Sequence, residues 1–186
     1  MAFATIDVTK GITGTIPVAN GGTGLASGTS GQFLKFTGST TIASAADNGK
    51  VGQVLSTVFS TETSTSSSSW TTTGHSVTMT PVATSSKILI IFSLADGYVN
   101  SGNHHMEVRP YSSIGGATAA QASAKTLLRI RYNVWTGGSG YNFLYSPNTT
   151  SAVVITNYFK ASSTGTVYYH NETSKGATMT LMEVLA

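Results

Sequence analysis

Hydrophobic and polar residues alternate with period two from Ser76 to Thr80. Val77 and Met79 face one way and Ser76, Thr78 and Thr80 the other, the pattern of a half-buried strand. Pro81 cannot donate to a sheet ladder and ends that strand. Ala83 to Ser86 supply a turn. Ile88 to Phe92 are then five consecutive apolar residues, four of them β-branched or aromatic, long enough for a central strand and too short for a buried helix. The same reading predicts further strands at Gln53–Thr61, His75–Thr80, Lys87–Ala95, His104–Tyr111, Thr126–Val134, Tyr141–Ser146, Ala152–Lys160, Thr166–Asn171 and Ala177–Leu185. Helical periodicity is confined to a small segment, Ala117–Lys125. Short strands separated by Gly, Ser, Thr and Asn turns predict an all-β fold, an antiparallel jelly-roll-like β-sandwich over residues 51–186. In it Leu128, Ile130 and Tyr132 share one face and Arg129 and Arg131 the other, and Thr61 to Ser69 reads as a solvated loop whose end is fixed by Trp70.

Residues 1–50 follow a different pattern. Glycines punctuate them at positions 11, 14, 21, 22, 24, 28, 31, 38 and 49, leaving segments such as Gln32-Phe-Leu-Lys-Phe-Thr37 that suffice for a short strand and not for a core. A single copy of such a stretch cannot offset its own chain entropy, so it is expected to wrap around identical copies or to dock on a platform. Gly11-Ile-Thr-Gly14-Thr-Ile-Pro17 begins two collagen-like triplets and then loses the period, which argues against a triple helix. The chain thus reads as an extended Gly-rich N-terminal stalk, 1–50, followed by the sandwich, 51–186.

The last predicted strand points independently to self-association. Met179, Leu181 and Leu185 lie on one face and Thr178, Thr180, Met182 and Val184 on the other, so both faces are substantially apolar. A central strand of a monomer would show the same pattern. Tyr158, Tyr168 and Tyr169 in the two preceding strands add aromatic area, and with Met179, Leu181 and Met182 they form the expected interface between copies.

Composition narrows the partners. Charged residues are only 9% of the chain against a typical quarter, so the surface is covered by hydroxyls and amides. Ten Lys and Arg against seven Asp and Glu give a formal charge of +3, scattered without a run, which offers no nucleic-acid footprint. The absence of cysteine excludes a disulfide scaffold, a thiolate zinc site and a cysteine nucleophile. The first residues lack the basic region and apolar core of a signal peptide, and no stretch approaches the ~18 apolar residues of a membrane span, so no membrane insertion is expected.

Catalytic chemistry finds little support. On a strand His105 and Glu107 share a face while His104 turns away, so one chain offers at most two metal ligands; three copies near a threefold axis could complete a site, but solvent or interface roles fit the ligand count better, and no metal or cofactor is expected. Gly137-Gly-Ser-Gly-Tyr141 misses the nucleophile-elbow spacing, and the glycine-rich segments lack the lysine of a phosphate-binding loop. No enzyme is expected. Binding is better served. The segments Tyr98-Val-Asn-Ser-Gly-Asn103 and Trp135-Thr-Gly-Gly-Ser-Gly-Tyr141 combine aromatics with Asn, Ser and Gly, surfaces suited to sugars. Tyr98, Asn100, Asn103, Trp135 and Tyr141, with an Arg129 and Arg131 stripe for phosphates or carboxylates, are the candidate receptor-binding residues. Core-capping aromatics and arginines paired with Glu107 or Glu183 are the ordinary alternative.

Ile16-Pro-Val-Ala-Asn-Gly-Gly-Thr-Gly-Leu25 resembles the short Gly-rich segment of tailed-phage fibre proteins. Trp70-Thr-Thr-Thr-Gly-His-Ser-Val-Thr-Met-Thr-Pro81, Ser85-Ser-Lys-Ile-Leu-Ile90 and Gly176-Ala-Thr-Met-Thr-Leu-Met-Glu-Val184 are similar to a C-terminal domain of phage fibre and other virion surface proteins, over most of residues 51–186. The resemblance implies a virion structural protein assembled in the host bacterial cytoplasm, an intertwined homotrimer with a β-sandwich knob on a thin stalk. It implies attachment to other virion proteins through the N-terminal segment, with Ile6, Ile12, Ile16 and Val18 as the apolar contacts, and adhesion to a host surface glycan through the knob. This chain lacks the long shaft of many tail fibres, so a head fibre or capsid decoration protein is the rival within the class. A free carbohydrate-binding module is the rival outside it.

Overall fold

Side chains that alternate between buried and exposed along successive strands build the molecule from antiparallel sheets. The computed structural model describes residues 22–23, 25, 28–39, 41–45, 50–100, 104–131, 138–163, 165–170 and 176–185. The chain divides into two compact units, Met1–Asn48 and Gly49–Ala186. In the first, β1 (Phe33–Phe36) and β2 (Ile42–Ala45) form an antiparallel hairpin in which Phe33 pairs with Ala45 and Phe36 with Ile42. Phe33, Leu34 and Phe36 are all more than half exposed, because two strands cannot cover both faces of a pleated ribbon.

The second unit contains β3 (Val51–Phe59), β4 (Thr63–Thr65), β5 (Thr71–Met79), β6 (Lys87–Leu94), β7 (Tyr98–Val99), β8 (His105–Ile114), β9 (Ala120–Gln121), β10 (Leu128–Arg131), β11 (Ser139–Tyr145), β12 (Val153–Ala161), β13 (Val167–His170) and β14 (Ala177–Val184). One sheet runs β10-β8-β12-β5, with β9 added to β8. A second runs β11-β6-β14-β3, and a small third sheet runs β4-β13-β7. All pairings are antiparallel, and among the described residues there is no helix, so the unit is the all-β sandwich expected. The long apolar run is central: β6 lies between β11 and β14 and sends Ile88, Ile90, Phe92 and Leu94 into the core. Val77 and Met79 from β5, Val153, Ile155 and Phe159 from β12, and Met179 and Leu181 from β14 meet them there.

Two segments differ from the sequence reading, and a third is described only in part. The Ser/Thr-rich stretch expected to be a solvated loop contributes β4, since β-branched Thr63 and Thr65 suit an extended backbone that pairs with β13. The weak helical periodicity of Ala117–Lys125 gives way to β9, where Tyr111 opposite Gln121 and Ser112 opposite Ala120 extend the sheet. The predicted strand over Thr126–Val134 is described only as far as Arg131, and 132–137 lie outside the described residues.

A β-bulge organises the core's polar centre. Thr156 pairs with Ser76 but Tyr158 with Thr72, so β5 carries extra residues there, with Gly74 at φ 78°. Thr73 and His75 on either side of it point inward and are buried. Thr73 Oγ1 donates to the Asn157 carbonyl at 2.8 Å, Asn157 Nδ2 donates to Tyr169 Oη at 2.9 Å, and His75 Nδ1 lies 2.9 Å from the same oxygen. Tyr141 O–H donates to Asn157 Oδ1, and Phe59 stacks on the His75 ring with centroids 5.2 Å apart.

Burial lowers the His75 pKa to about 4, with a hydrogen bond to the Thr57 backbone working against it. The folded state therefore refuses a proton that the unfolded chain takes up at an ordinary histidine pKa of about 6.5. This contribution to stability is complete above pH 6.5 and is lost as the pH falls toward 4. Urea unfolding is expected to show a loss of about 2–3 kcal/mol across that window, a slope that His75→Gln removes.

Candidate functional site

Residues of one parity on three adjacent strands gather on the outer face of the β10-β8-β12-β5 sheet. In register, Arg129 of β10 lies opposite Glu107 of β8, which lies opposite Lys160 of β12. Arg131 lies opposite His105, and Arg109 opposite Tyr158. Glu107 is the hub: its carboxylate is 2.9 Å from Arg129 Nη2, 3.3 Å from Lys160 Nζ and 3.1 Å from His105 Nε2, and accepts from Thr126 Oγ1 at 3.1 Å. Burial opposes ionisation here. Hydrogen bonds from His105, Lys160 and Thr126 and the charge of Lys160 outweigh it and lower the pKa to about 2.

Beside this hub is an aromatic group. The Arg109 guanidinium lies 3.9 Å from the centroid of the Trp70 ring, a cation–π contact, and its Nη2 donates to Tyr111 Oη at 3.1 Å. Tyr111 stacks on Tyr158 with centroids 4.0 Å apart, and Lys160 Nζ is 5.2 Å from the Trp70 ring. Arg109 is buried beneath these rings, and its Nε has no hydrogen-bond partner among the described residues. All three arginines of the chain thus lie on this face. With Lys160 it holds four of the ten Lys and Arg and one of the seven Asp and Glu. Its excess of +3 equals the formal net charge of the whole chain.

The outer face of the other sheet has the opposite character. Leu144, Leu89, Met182 and Val54 lie side by side across β11, β6, β14 and β3, an apolar row spanning the sheet. The next row is Asn142, Ile91, Thr180 and Ser56, and the next Gly140, Ser93, Thr178 and Val58. None of the side chains in these three rows is charged; Lys87, of the same parity at the start of β6, lies opposite Val184 beyond them. Val54, Val58 and Leu144 are about half exposed or more, at 52%, 67% and 48%.

The residues singled out from the sequence are distributed unevenly over these surfaces. Arg129 and Arg131 are exposed on the basic face, and Arg129 pairs with Glu107 of its own chain. Tyr98 is half-buried on β7 against Tyr168 at 5.9 Å, and Asn100 is exposed, its N–H bonded to the Thr166 carbonyl. Tyr141, placed by the sequence reading on a binding loop, is instead a core residue: β11 turns it inward against Phe92, where its hydroxyl finds Asn157. Tyr169, Met179 and Leu181, expected between copies, are also fully buried within the chain, because the inward parity of β13 and β14 assigns them to the sandwich core. Tyr158, Tyr168 and Met182 remain half-buried on outer positions. Asn103, Trp135, Ile6, Ile12, Ile16 and Val18 lie outside the described residues. His104 is buried while His105 faces Glu107, and among the described residues no group of three metal-ligating side chains forms. Glu183 is buried as well. Burial opposes its charge, but Gln53 Nε2 and the Val82 N–H, each donating at 2.7 Å, keep its pKa low and fasten the β5–β6 connection.

Trp70, Arg109, Tyr111 and Lys160 were not visible as site residues in the sequence. Arg109 and Lys160 have the same strand parity as Glu107 and Tyr158, but only the pairing of β8 with β12 and β10 brings them together.

No family model matches the chain, and no curated protein matches it. Among solved structures it is similar to VP2 of infectious bursal disease virus in a subviral particle, at 12% identity and a TM-score of 0.38, over 82% of this chain and 41% of that one. A structure of the Gx strain of the same virus aligns at 11% identity and a TM-score of 0.37, over 82% and 40%. The chain spans about two-fifths of the length of these structures.

Replacing the hub carboxylate tests the electrostatics of the basic face. Glu107→Gln is expected to lower stability at pH 7 by about 1–2 kcal/mol, after allowance for the solvent that reaches Arg129. A group held below its ordinary pKa contributes stability above pH 4.5 that is lost as the pH falls toward 2. The variant should flatten that limb of the urea-unfolding profile.

Proposed function

We propose that the chain is a non-enzymatic structural protein of a phage virion, a homotrimeric fibre that attaches to the particle by its N-terminal segment and presents its sandwich for adhesion to a host surface. Assembly takes place in the host bacterial cytoplasm, where the trimer joins other virion proteins through residues 1–50. The observation that carries this reading is the outer face of the β11-β6-β14-β3 sheet, which is uncharged over three rows and reaches a charge only at Lys87, at the start of β6. Rows of Leu, Met, Val, Ile and hydroxyl side chains with no charge suit packing against neighbouring copies around a threefold axis.

The size of that face is consistent with this use. At about 4.8 Å between strands and 3.3 Å per residue, four strands of seven residues cover on the order of 450 Å². Two copies together would bury on the order of 900 Å², just under the ~1,000 Å² that a specific interface should clear, which leaves the remainder to other parts of the chain. The glycine-rich N-terminal segment, with its exposed Phe33, Leu34 and Phe36, would contribute further contact between copies. The Gly-rich motif at Ile16 to Leu25 supports the virion setting. Three copies per fibre and many fibres per particle would turn weak single contacts into firm attachment.

Sedimentation of the full-length protein tests the proposal. The expected result is a stable mass of three chains at dilute concentration, reduced to one chain by Leu89→Lys or Met182→Lys with an unchanged circular dichroism spectrum. A monomeric wild-type protein, or a trimer indifferent to both lysines, would overturn it. A monomer would favour the free carbohydrate-binding module.

A further inference from the structure

We propose that the outer face of the β10-β8-β12-β5 sheet is a binding site for an acidic polysaccharide, a polymer whose sugars carry carboxylates. The inference rests on the adhesion reading only for its biological setting; the site itself follows from geometry. This one face carries all three arginines and Lys160 against a single carboxylate, an excess of +3 in a chain only 9% charged. One carboxylate, Glu107, is shared by Arg129 and Lys160, so these cations exceed the anion that holds them. Arg129 remains half exposed at 51%, and Arg131 is exposed opposite His105.

The cations are also fixed in position. Arg109 is held under Trp70 and Tyr111, so it contributes a stationary positive field rather than a mobile side chain. From the position of Arg131 to that of Arg109 is four residues along β8, roughly 13 Å, and from β10 to β12 is roughly 10 Å. An extended anion fits that footprint better than a single phosphate. Arginine forks and the neighbouring tyrosine and serine hydroxyls match carboxylates and sugar hydroxyls.

Nucleic acid fits less well. Single strands are held by stacking bases on open aromatic faces. Here one face of Trp70 is covered by Arg109, and Tyr111 and Tyr158 cover one another. What remains is hydrogen-bonding and charge, the needs of an acidic sugar chain.

Titration of the full-length protein with polygalacturonate, monitored calorimetrically, tests the site, with neutral dextran and a single-stranded DNA of matched charge as controls. The expected result is binding to polygalacturonate that weakens at least tenfold from low salt to 0.5 M, no binding to dextran, and weaker binding to DNA. Arg129→Ala/Arg131→Ala, two exposed substitutions, should weaken polygalacturonate binding tenfold or more while the circular dichroism spectrum of the folded protein stays unchanged, since Lys160, His105 and Thr126 still hold Glu107. Equal binding to dextran, undiminished binding by the double variant, or tighter binding to DNA would each overturn the proposal. The mass of the same samples separates the two readings. A trimer that ignores polygalacturonate sinks the site alone, and a monomer that binds it sinks the trimer alone.

Discussion

A single buried amide, Asn157, joins the layers of this sandwich. It sits on β12, accepts from Tyr141 of β11 in the opposite sheet, and donates to Tyr169 of the small third sheet, while its carbonyl receives Thr73 from the bulge in β5. Each of these groups is buried, and each would cost free energy without its partner, so the network tolerates only one alignment of the sheets. Hydrophobic burial by Ile88, Ile90, Phe92, Met179 and Leu181 supplies the bulk of the drive to fold, but it is not directional. The amide supplies register. His75 belongs to the same network, and its suppressed basicity follows from being enclosed with it.

Once both inner faces are committed to one core, function is left to the outer faces, and these have divided. One carries every arginine and a cation-bearing aromatic group; the other carries no charge over three rows and four strands. A charged face remains hydrated at little cost, whereas an apolar face gains by being covered. Self-association through the apolar sheet would therefore leave the basic sheet turned to solvent, and the two proposed roles would not compete for the same surface.

Much of this was legible in the sequence because strand parity is local. The alternation around Val77 and Met79, the run Ile88–Phe92 and the opposite faces of Ile130 and Arg129 all stand in the structure as the period of two predicts. Pairing is not local, and the errors follow from that. Tyr141 looked like a loop aromatic because glycines precede it, yet Gly140 and Tyr141 already belong to β11 beside Phe92. Met179 and Leu181 were correctly placed on one face, but whether that face met a core or a neighbour depended on β6 lying alongside. Gly74 inside an alternating strand was the one available signal for the bulge that positions Thr73 and His75. The cluster of Trp70, Arg109 and Lys160 draws on residues up to 90 positions apart in the chain, and no spacing announces it.

The division of faces is tested most directly by the oxidation rate of Met182 in the full-length protein, followed by mass spectrometry after dilute peroxide. Met79, Met106 and Met179 are fully buried in the core, whereas Met182 lies on the apolar outer face and is shielded further only if another copy covers it. The account predicts that Met182 oxidises nearly as slowly as Met179 and becomes rapidly oxidised in the Leu89→Lys variant. Rapid oxidation of Met182 in the wild-type protein, with the three core methionines intact, would contradict it.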